Sequence, residues 1–276
     1  MNRNGNRAGS KPLGSGFPPL LIIIVEGKGG VGKSVNADAA NYIFASMGCV
    51  TLTAESDTTN SIMSSIHDNV VFVNVTRPGW HTIIGKHLQR MGQPGGAGAV
   101  IFDTGARDDV HVREKLPYFV QAMEAVGGHV LVIRPITTSG SAQTNAIDFA
   151  KTTTGFGIAT VFMQIRAQGR TEEHFRRWSA TESLREAKQL GAVDTWIDDL
   201  GVEEADEAVA LGLSFAAVAA EDFDRSHDPE AARAYFDEAK VLWFQDWLET
   251  QKMRWLPVFR EALANQRAAS KVTASL

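Results

Sequence analysis

Residues 20–34 read Leu-Leu-Ile-Ile-Ile-Val-Glu-Gly-Lys-Gly-Gly-Val-Gly-Lys-Ser, an apolar run followed by a glycine-rich loop with two lysines. The spacing Gly-x4-Gly-Lys-Ser between Gly27 and Ser34 is typical of a phosphate-binding loop, whose backbone amides surround a phosphate. In such a loop Lys33 reaches the β- and γ-phosphate oxygens, and the Ser34 hydroxyl can bind Mg²⁺. A helix-compatible segment, residues 35–47, follows. Strand, loop and helix in this order predict a nucleoside triphosphate site.

The loop carries a second lysine, Lys28. Residues 28–34 match the pattern Lys-Gly-Gly-x-x-Gly-Lys-[Ser/Thr], and the loop resembles the deviant Walker A box of the ParA/MinD family of dimeric ATPases. The resemblance implies ATP and Mg²⁺ as cofactors, a homodimer that forms on ATP binding, and a Lys28 that reaches the phosphates held by the other subunit. The alternative for Lys28 is a solvated loop lysine. The resemblance makes Lys28 and Lys33 catalytic, and it implies nucleotide contacts from Gly27, Lys28, Gly29, Gly30, Val31, Gly32, Lys33 and Ser34.

The composition is that of one soluble α/β domain. The chain has 276 residues, of which 44% are apolar and 21% charged, and this is ordinary usage for a globular protein. No apolar run approaches the roughly 18 to 20 residues of a membrane span. The run at residues 20–25 is also too short for the core of a signal peptide. We therefore expect a cytoplasmic protein.

Cysteine and tyrosine usage disfavours three related classes. The single cysteine, Cys49, can form no internal disulfide and cannot supply the thiolates of an iron–sulfur cluster. The nitrogenase iron proteins and cluster carriers that share the loop pattern are therefore disfavoured. The three tyrosines do not cluster at the C-terminus, which disfavours the bacterial tyrosine kinases of the same superfamily.

Five β-branched runs follow the loop and alternate with helical stretches. Strands separated by helices predict a doubly wound, mostly parallel sheet flanked by helices. Ligands bind such sheets at the carboxyl ends of the strands, so functional residues are expected directly after each run. The predicted strands cover residues 50–54, 70–75, 99–103, 130–134 and 158–163.

The first of these runs is followed by Glu-Ser-Asp-Thr-Thr-Asn, residues 55–60, which we call the first switch. In the ParA/MinD family this segment reads Asp-x-Asp, and its second Asp helps to position the attacking water. Asp57 matches that second Asp, whereas Glu55 replaces the first. A carboxylate here can orient water because phosphoryl transfer depends mainly on positioning. The alternative for Asp57 is a turn that caps the next helix.

Asp103 ends a buried run at residues 98–103 that has the Walker B pattern. Its carboxylate is expected near the loop, where it would hold Mg²⁺ together with Ser34 and Asp57. Residues 104–109, which we call the second switch, resemble the corresponding family segment, except that Gly105 stands where a proline is usual. Arg107 stays unassigned between a phosphate or subunit contact and a surface ion pair.

Gln164 follows the run at residues 158–163, at the place where the family has an asparagine that reads adenine. A glutamine amide can still donate to N7 and accept from N6 of adenine. Arg166 could stack on the base. The resemblance therefore implies an adenine site formed by these two side chains.

The chain divides into three predicted parts. Residues 1–19 are a disordered basic tail, residues 20–222 the ATPase domain, and residues 223–276 a helical extension. The extension is amphipathic and is expected to pack on the domain, with membrane-surface binding as the less favoured alternative. An acidic stretch at residues 194–207 predicts a solvated face, with a cationic partner as the alternative.

These features predict an ATP-dependent dimerising switch that positions DNA or a protein complex and whose hydrolysis a partner protein stimulates. The two switches most resemble members of the family carried on conjugative plasmids. Nonspecific DNA binding would need local basic patches, because the net charge is −5. The alternative function is a nucleotide-bound scaffold with negligible turnover; a P-loop kinase or ligase lacks a recognisable acceptor site. Basic candidates are Arg166, Arg170, Arg176, Arg177, Arg185 and Lys188, and Lys252, Arg254, Arg260, Arg267 and Lys271 near the C-terminus.

Overall fold

The computed structural model describes residues 17–57, 61–91, 93, 96, 98–169 and 171–273. In it seven parallel strands form one sheet in the order β3-β2-β4-β1-β5-β6-β7, which confirms the predicted fold class. The bounds of the predicted strands differ from the observed ones by at most three residues. The strands are β1 Leu20–Ile24, β2 Thr51–Glu55, β3 Val70–Phe72, β4 Ala99–Asp103, β5 His129–Ile136, β6 Ala159–Ile165 and β7 Val193–Ile197.

Helices cover both faces of the sheet. Alternate side chains of β1 point to opposite faces, so Ile22 packs in the core with α1 and the C-terminal helix, whereas Ile23 packs with α3 and α4. Burial on both faces explains why β1 is apolar throughout rather than alternating. The helices are α1 Lys33–Ser46, α2 Ile62–Ile66, α3 His81–Leu88, α4 Asp109–Ala125, α5 Gly140–Gly155, α6 Arg176–Ala180, α7 Glu182–Gln189, α8 Val202–Ala210, α9 Phe215–Ala219, α10 Pro229–Tyr235 and α11 Glu238–Thr273.

The edge strand β7 corrects the interpretation of the acidic stretch. Asp194 lies within this strand and is largely buried, and it accepts hydrogen bonds from Trp178 Nε1 at 3.3 Å and Gln164 Nε2 at 3.1 Å. Asp198 accepts from Arg254 at 2.6 Å. The prediction of a solvated face is therefore wrong for Asp194, whereas Asp198 pairs with Arg254 and keeps 36% of its side chain exposed. Glu203 and Asp206, on α8, are exposed as expected.

The long helix α11 packs on the domain between residues 241 and 263. Its buried aromatic side chains include Phe244, Trp247, Trp255 and Phe259, which share one core with α1 and the strands. The helix continues through Pro257. Among the described residues, no helix has the length and apolar character needed to cross a membrane. The division between domain and extension at residue 222 stays a prediction.

The predicted disordered tail is wrong at its last three residues. Phe17 is buried, and its ring meets that of Phe44 with centroids 5.7 Å apart. The carbonyl of Pro19 accepts a hydrogen bond from the amide of His129 at 2.9 Å, so residues 17–19 belong to the folded domain. Residues 1–16 lie outside the described part of the chain.

Removing one indole from α11 tests its packing. Trp255 is fully buried, and its Nε1 donates to the carbonyl of Trp196 at 3.1 Å. Trp255→Ala should lower the free energy of unfolding by about 3–5 kcal/mol, because it leaves a large cavity and an unpaired carbonyl. Met253→Ala is the matched control, since Met253 is 76% exposed on the same helix. Equal denaturation midpoints for the two variants would contradict the packing.

Candidate functional site

The phosphate-binding loop lies between β1 and α1, at the carboxyl edge of the sheet. Gly30 and Gly32 have φ angles of 67° and 78°, in the left-handed region where a side chain is strained. Successive amides in such a conformation form a concave anion site. Helix α1 begins at Lys33, so its positive end faces the same space. The loop therefore has glycine at these two positions because their backbone conformation would strain a residue with a side chain.

The two loop lysines occupy different environments. Lys33 is buried, and its Nζ donates to the carbonyl of Lys28 at 3.2 Å, inside the curl of the loop. The Lys28 side chain is exposed and does not line the cleft beside the loop. Lys33 is thus placed to contact a phosphate held within its own subunit. Lys28 is free to reach a molecule outside it.

Ser34 and Asp103, two of the residues predicted to hold Mg²⁺, are in direct hydrogen-bond contact. Ser34 Oγ donates to Asp103 Oδ2 at 2.6 Å, while Asp103 Oδ1 is buried and has no hydrogen-bond partner among the described residues. Burial raises the pKa of Asp103 to about 7, against the opposing effects of Ser34 and Lys33. A hydroxyl beside a carboxylate with an unused oxygen suits Mg²⁺, which prefers oxygen ligands and takes the rest from phosphate and water. The residues present therefore fit this ion.

A group of three or more His, Cys, Asp or Glu side chains arranged to hold a metal is not found within the described ranges.

The first switch separates the roles of its two acidic residues. Glu55 is fully buried and accepts from the amides of Met63 and Ser64 at 3.0 and 3.1 Å, at the start of α2. Its carboxylate is therefore engaged in fixing that helix. Asp57 lines the cleft, where it is close enough to raise the pKa of Asp103 electrostatically, although less than burial does. Residues 58–60 lie outside the described part of the chain.

The second switch explains why glycine replaces proline at residue 105. The Gly105 amide donates to Ser56 Oγ and to Asp108 Oδ2, both at 2.9 Å, and proline has no amide hydrogen to donate. A Cβ at this position would lie 2.7 Å from Asp108 Oδ2. Ser56 Oγ also donates to Asp108. The Gly105 amide, which a proline would lack, therefore helps to join the two switches by hydrogen bonds.

The two side chains predicted to bind adenine, Gln164 and Arg166, do not line the cleft. Gln164 is turned toward β7, where its Nε2 donates to Asp194, and it does not line the cleft. Arg166 lies between the rings of Phe175 and Trp196, 5.3 and 5.4 Å from their centroids, in a neighbouring depression. Adenine recognition by these two side chains stays a prediction that their placement does not favour.

Two segments that the sequence interpretation missed line the cleft. Gln168 Nε2 donates to the carbonyl of Gly30 at 2.7 Å, which connects the turn after β6 to the phosphate loop. Ile197, the last residue of β7, and residues 198–202 directly after it also line the cleft. The rule that ligands bind after parallel strands would have indicated both segments, had β7 been recognised.

The cleft has a volume of about 800 Å³ and joins the loop, both switches and the ends of β6 and β7. Pockets of this size commonly hold cofactors. The three predicted metal ligands, Ser34, Asp57 and Asp103, are brought together at its phosphate end. The cleft can therefore take an elongated ligand with anionic groups at the loop.

Comparison with known proteins gives matches only among solved structures. No protein-family model and no curated protein sequence matches the chain. MinD from Aquifex aeolicus is 15% identical over 78% of this chain and 95% of that one, with a TM-score of 0.45. A putative plasmid partition protein from Borrelia burgdorferi, solved with AMPPNP, is 14% identical over 84% and 97%, with a TM-score of 0.48.

The signal recognition particle receptor FtsY from Elizabethkingia anophelis, solved with GDP, is 20% identical with a TM-score of 0.39. The match spans 55% of this chain and only 50% of that receptor. At these identities the likeness concerns fold alone and does not distinguish between nucleotides.

The raised pKa of Asp103 predicts a pH dependence of stability. Between about pH 4 and about pH 7 the nucleotide-free folded state holds a proton that the unfolded state has lost, because burial raises the pKa of Asp103 from 3.8 to about 7. Its contribution to stability is therefore lost as the pH rises through this window. Asp103→Asn should flatten the dependence, measured by denaturant unfolding at about pH 5 and about pH 8.

Burial also raises the pKa of Glu55 and of Asp108. The difference between wild type and Asp103→Asn therefore isolates the contribution of Asp103 to the pH dependence. Asp68→Asn, at an exposed carboxylate, is the control and should keep the wild-type dependence. Parallel wild-type and Asp103→Asn curves would show that Asp103 ionises normally.

Proposed function

We propose that this chain is a Mg²⁺-dependent ATPase of the ParA/MinD type that switches between a monomer and an ATP-bound homodimer. The observation that carries the proposal is the arrangement of the two loop lysines around one anion site. Lys33 is buried inside the curl, while Lys28 is exposed outside the cleft. A monomeric phosphate-binding loop needs only the first of these, because one lysine already contacts the β- and γ-phosphates.

Each part of the site has a distinct role in the proposed reaction. The loop amides and Lys33 bind the phosphates, and Ser34 and Asp103 would hold Mg²⁺. When bound, this ion would neutralise charge on the phosphate oxygens. Asp57 orients the attacking water, since it is the first-switch carboxylate that faces the cleft while Glu55 is bound to α2. Catalysis by positioning requires no strong base.

Lys28 would complete the site of the second subunit. A lysine that enters the partner's site adds positive charge at the γ-phosphate only when two nucleotide-bound subunits face each other. ATP would then favour the dimer, and hydrolysis would release it. A partner protein would stimulate hydrolysis, and the cargo would be DNA or a protein complex, as in plasmid partition.

The predicted DNA contacts stay hypothetical, and some of the candidate side chains have other partners. Arg254 pairs with Asp198 at 2.6 Å and lies 4.3 Å from the centre of the Trp196 ring. Arg260 lies 5.1 Å from the centre of the Phe17 ring. Residue 170 and the side chains at 177 and 267–271 lie outside the description. A membrane contact through α11 has less support, because most of its large apolar side chains are buried.

A scaffold that binds nucleotide with negligible turnover is the second candidate. It is favoured by the engagement of Glu55 with α2, which leaves Asp57 as the first-switch carboxylate at the cleft. The two candidates agree on nucleotide binding and differ in hydrolysis.

Measurable turnover of MgATP by the wild-type chain distinguishes the ATPase from the scaffold, and Asp57→Asn then tests the role of Asp57. The variant should bind MgATP with nearly wild-type affinity and hydrolyse it at least about tenfold more slowly, because the substitution affects water orientation more than ground-state binding. Calorimetry would measure binding, and phosphate release would measure turnover in the presence of the stimulating partner or at high protein concentration.

Lys33→Ala is the companion variant and should abolish MgATP binding, since it removes the charge inside the loop. Asp68→Asn again serves as the surface control. If Asp57→Asn hydrolysed ATP as fast as wild type, Asp57 would be only a turn residue. Unchanged ATP affinity in Lys33→Ala would contradict the phosphate-binding loop itself.

A further inference from the structure

A buried ion pair lies directly beneath the phosphate-binding loop. Arg134 Nη2, on β5, donates to Glu26 Oε2 at 2.6 Å, and both side chains are 0% exposed. Glu26 is the residue that precedes Gly27, the first position of the loop motif. The pair therefore joins the start of the loop to the strand on the other side of β1 from Asp103.

The Glu26 carboxylate also holds the loop backbone. Its Oε1 accepts from the amide of Gly27 at 3.0 Å, and the amide of Lys28 lies near enough to the same carboxylate to lower its pKa. The Gly27 carbonyl accepts from the amide of Arg107 at 3.0 Å. Gly27 is thus fixed on both sides, by the carboxylate and by the second switch.

The contact from the second switch requires an unusual backbone conformation. Arg107 has a φ angle of 71°, in the left-handed region that is uncommon for a residue other than glycine. Such conformations persist where the surrounding structure holds them, and they concentrate at functional sites. The amide of Arg107 is thereby directed at the loop, while its side chain is exposed.

Arg134 connects the pair to two helices. Its guanidinium lies 4.5 Å from the centre of the Phe149 ring on α5, and Arg113, on α4, lies 5.1 Å from the same ring. Asp109 begins α4 and interacts electrostatically with both Glu26 and Arg134. Cationic groups from β5 and α4 therefore meet at one aromatic side chain of α5.

Stability alone is a weak reason for a pair of this kind. Removing two charges from water costs more than a simple ion pair returns, and well-packed apolar replacements are often equally stable or more stable. Burial raises the pKa of Glu26, against the opposing effects of Arg134 and the loop amides. A role in orienting the loop backbone explains why hydrogen-bonding groups stand here.

We propose that Glu26 is a positioning residue, held by Arg134, whose carboxylate orients the Gly27 and Lys28 amides for the phosphates and for the contact with the second switch. The proposal rests on the proposed nucleotide site, and it adds a residue pair outside the loop motif, the switches and the metal ligands. A merely structural pair would need charge balance only. A positioning pair needs a hydrogen-bond acceptor at residue 26.

Two double variants separate these roles. The amide pair Glu26→Gln/Arg134→Gln removes both charges and keeps an acceptor for the Gly27 amide. The apolar pair Glu26→Leu/Arg134→Met removes both charges and the acceptor. We expect both to retain thermal stability, because neither leaves a single buried charge unpaired. The amide pair should bind MgATP within about threefold of wild type, and the apolar pair about tenfold more weakly or worse.

Calorimetry with MgATP and thermal unfolding of the full chain decide between the roles. Equal affinities in wild type and the apolar pair would overturn the proposal. Equal weakening in the two double variants would also overturn it, because affinity would then not depend on the acceptor.

Amide hydrogen exchange in the wild-type chain provides a measurement that does not depend on whether the variants fold. The Gly27 and Lys28 amides should be protected in the nucleotide-free protein, although the Lys28 side chain is exposed. Fast exchange at both amides would overturn the proposal. A wild-type chain that fails to bind MgATP would instead contradict the proposed function. The exchange result would still test whether Glu26 holds the two loop amides.

Discussion

Strand β1 runs between β4 and β5 in a register that aligns Ile24 with Asp103 on one side and with Ile133 on the other. Because the strands are parallel, the segments that follow them leave the sheet at the same edge. The loop after β1 therefore meets the Walker B carboxylate and, through Glu26, the Arg134 side chain of β5. A shift of one residue in either pairing would turn these side chains to the opposite face.

Three buried carboxylates and one partly buried carboxylate organise the edge at which the loop lies. Glu26, Glu55, Asp103 and Asp108 each have a pKa raised by burial, and each is held by donors from another segment. Glu26 and Glu55 hold backbone amides, Asp108 joins the two switches, and Asp103 accepts from Ser34 and has one oxygen left. Glu26, Glu55 and Asp108 therefore hold other parts of the protein in place, and Asp103 is the carboxylate suited to a metal.

The sequence predicted the parts of the site that depend on local pattern. Glycine spacing specifies the loop conformation, and a carboxylate at the end of an apolar strand specifies Asp103, so Ser34, Lys33 and Asp103 could be identified without a structure. The orientation of Gln164 cannot be predicted from its neighbours in sequence, because it depends on Asp194 in β7. That strand reads Val-Asp-Thr-Trp-Ile, and its residues from Asp194 onward belong to the stretch that the sequence predicts to be an acidic surface. Phe17 was assigned to a disordered tail because its contacts with Phe44 and Arg260 are distant in sequence.

Sedimentation of wild type and Lys28→Ala with a non-hydrolysable ATP analogue decides whether Lys28 acts on the nucleotide of a second subunit. Wild type should dimerise with the analogue and not with ADP. Lys28→Ala should bind the analogue through Lys33 and remain monomeric, since the γ-phosphate charge is no longer shared between subunits. A Lys28→Ala protein that dimerises as well as wild type would rule out this role for Lys28.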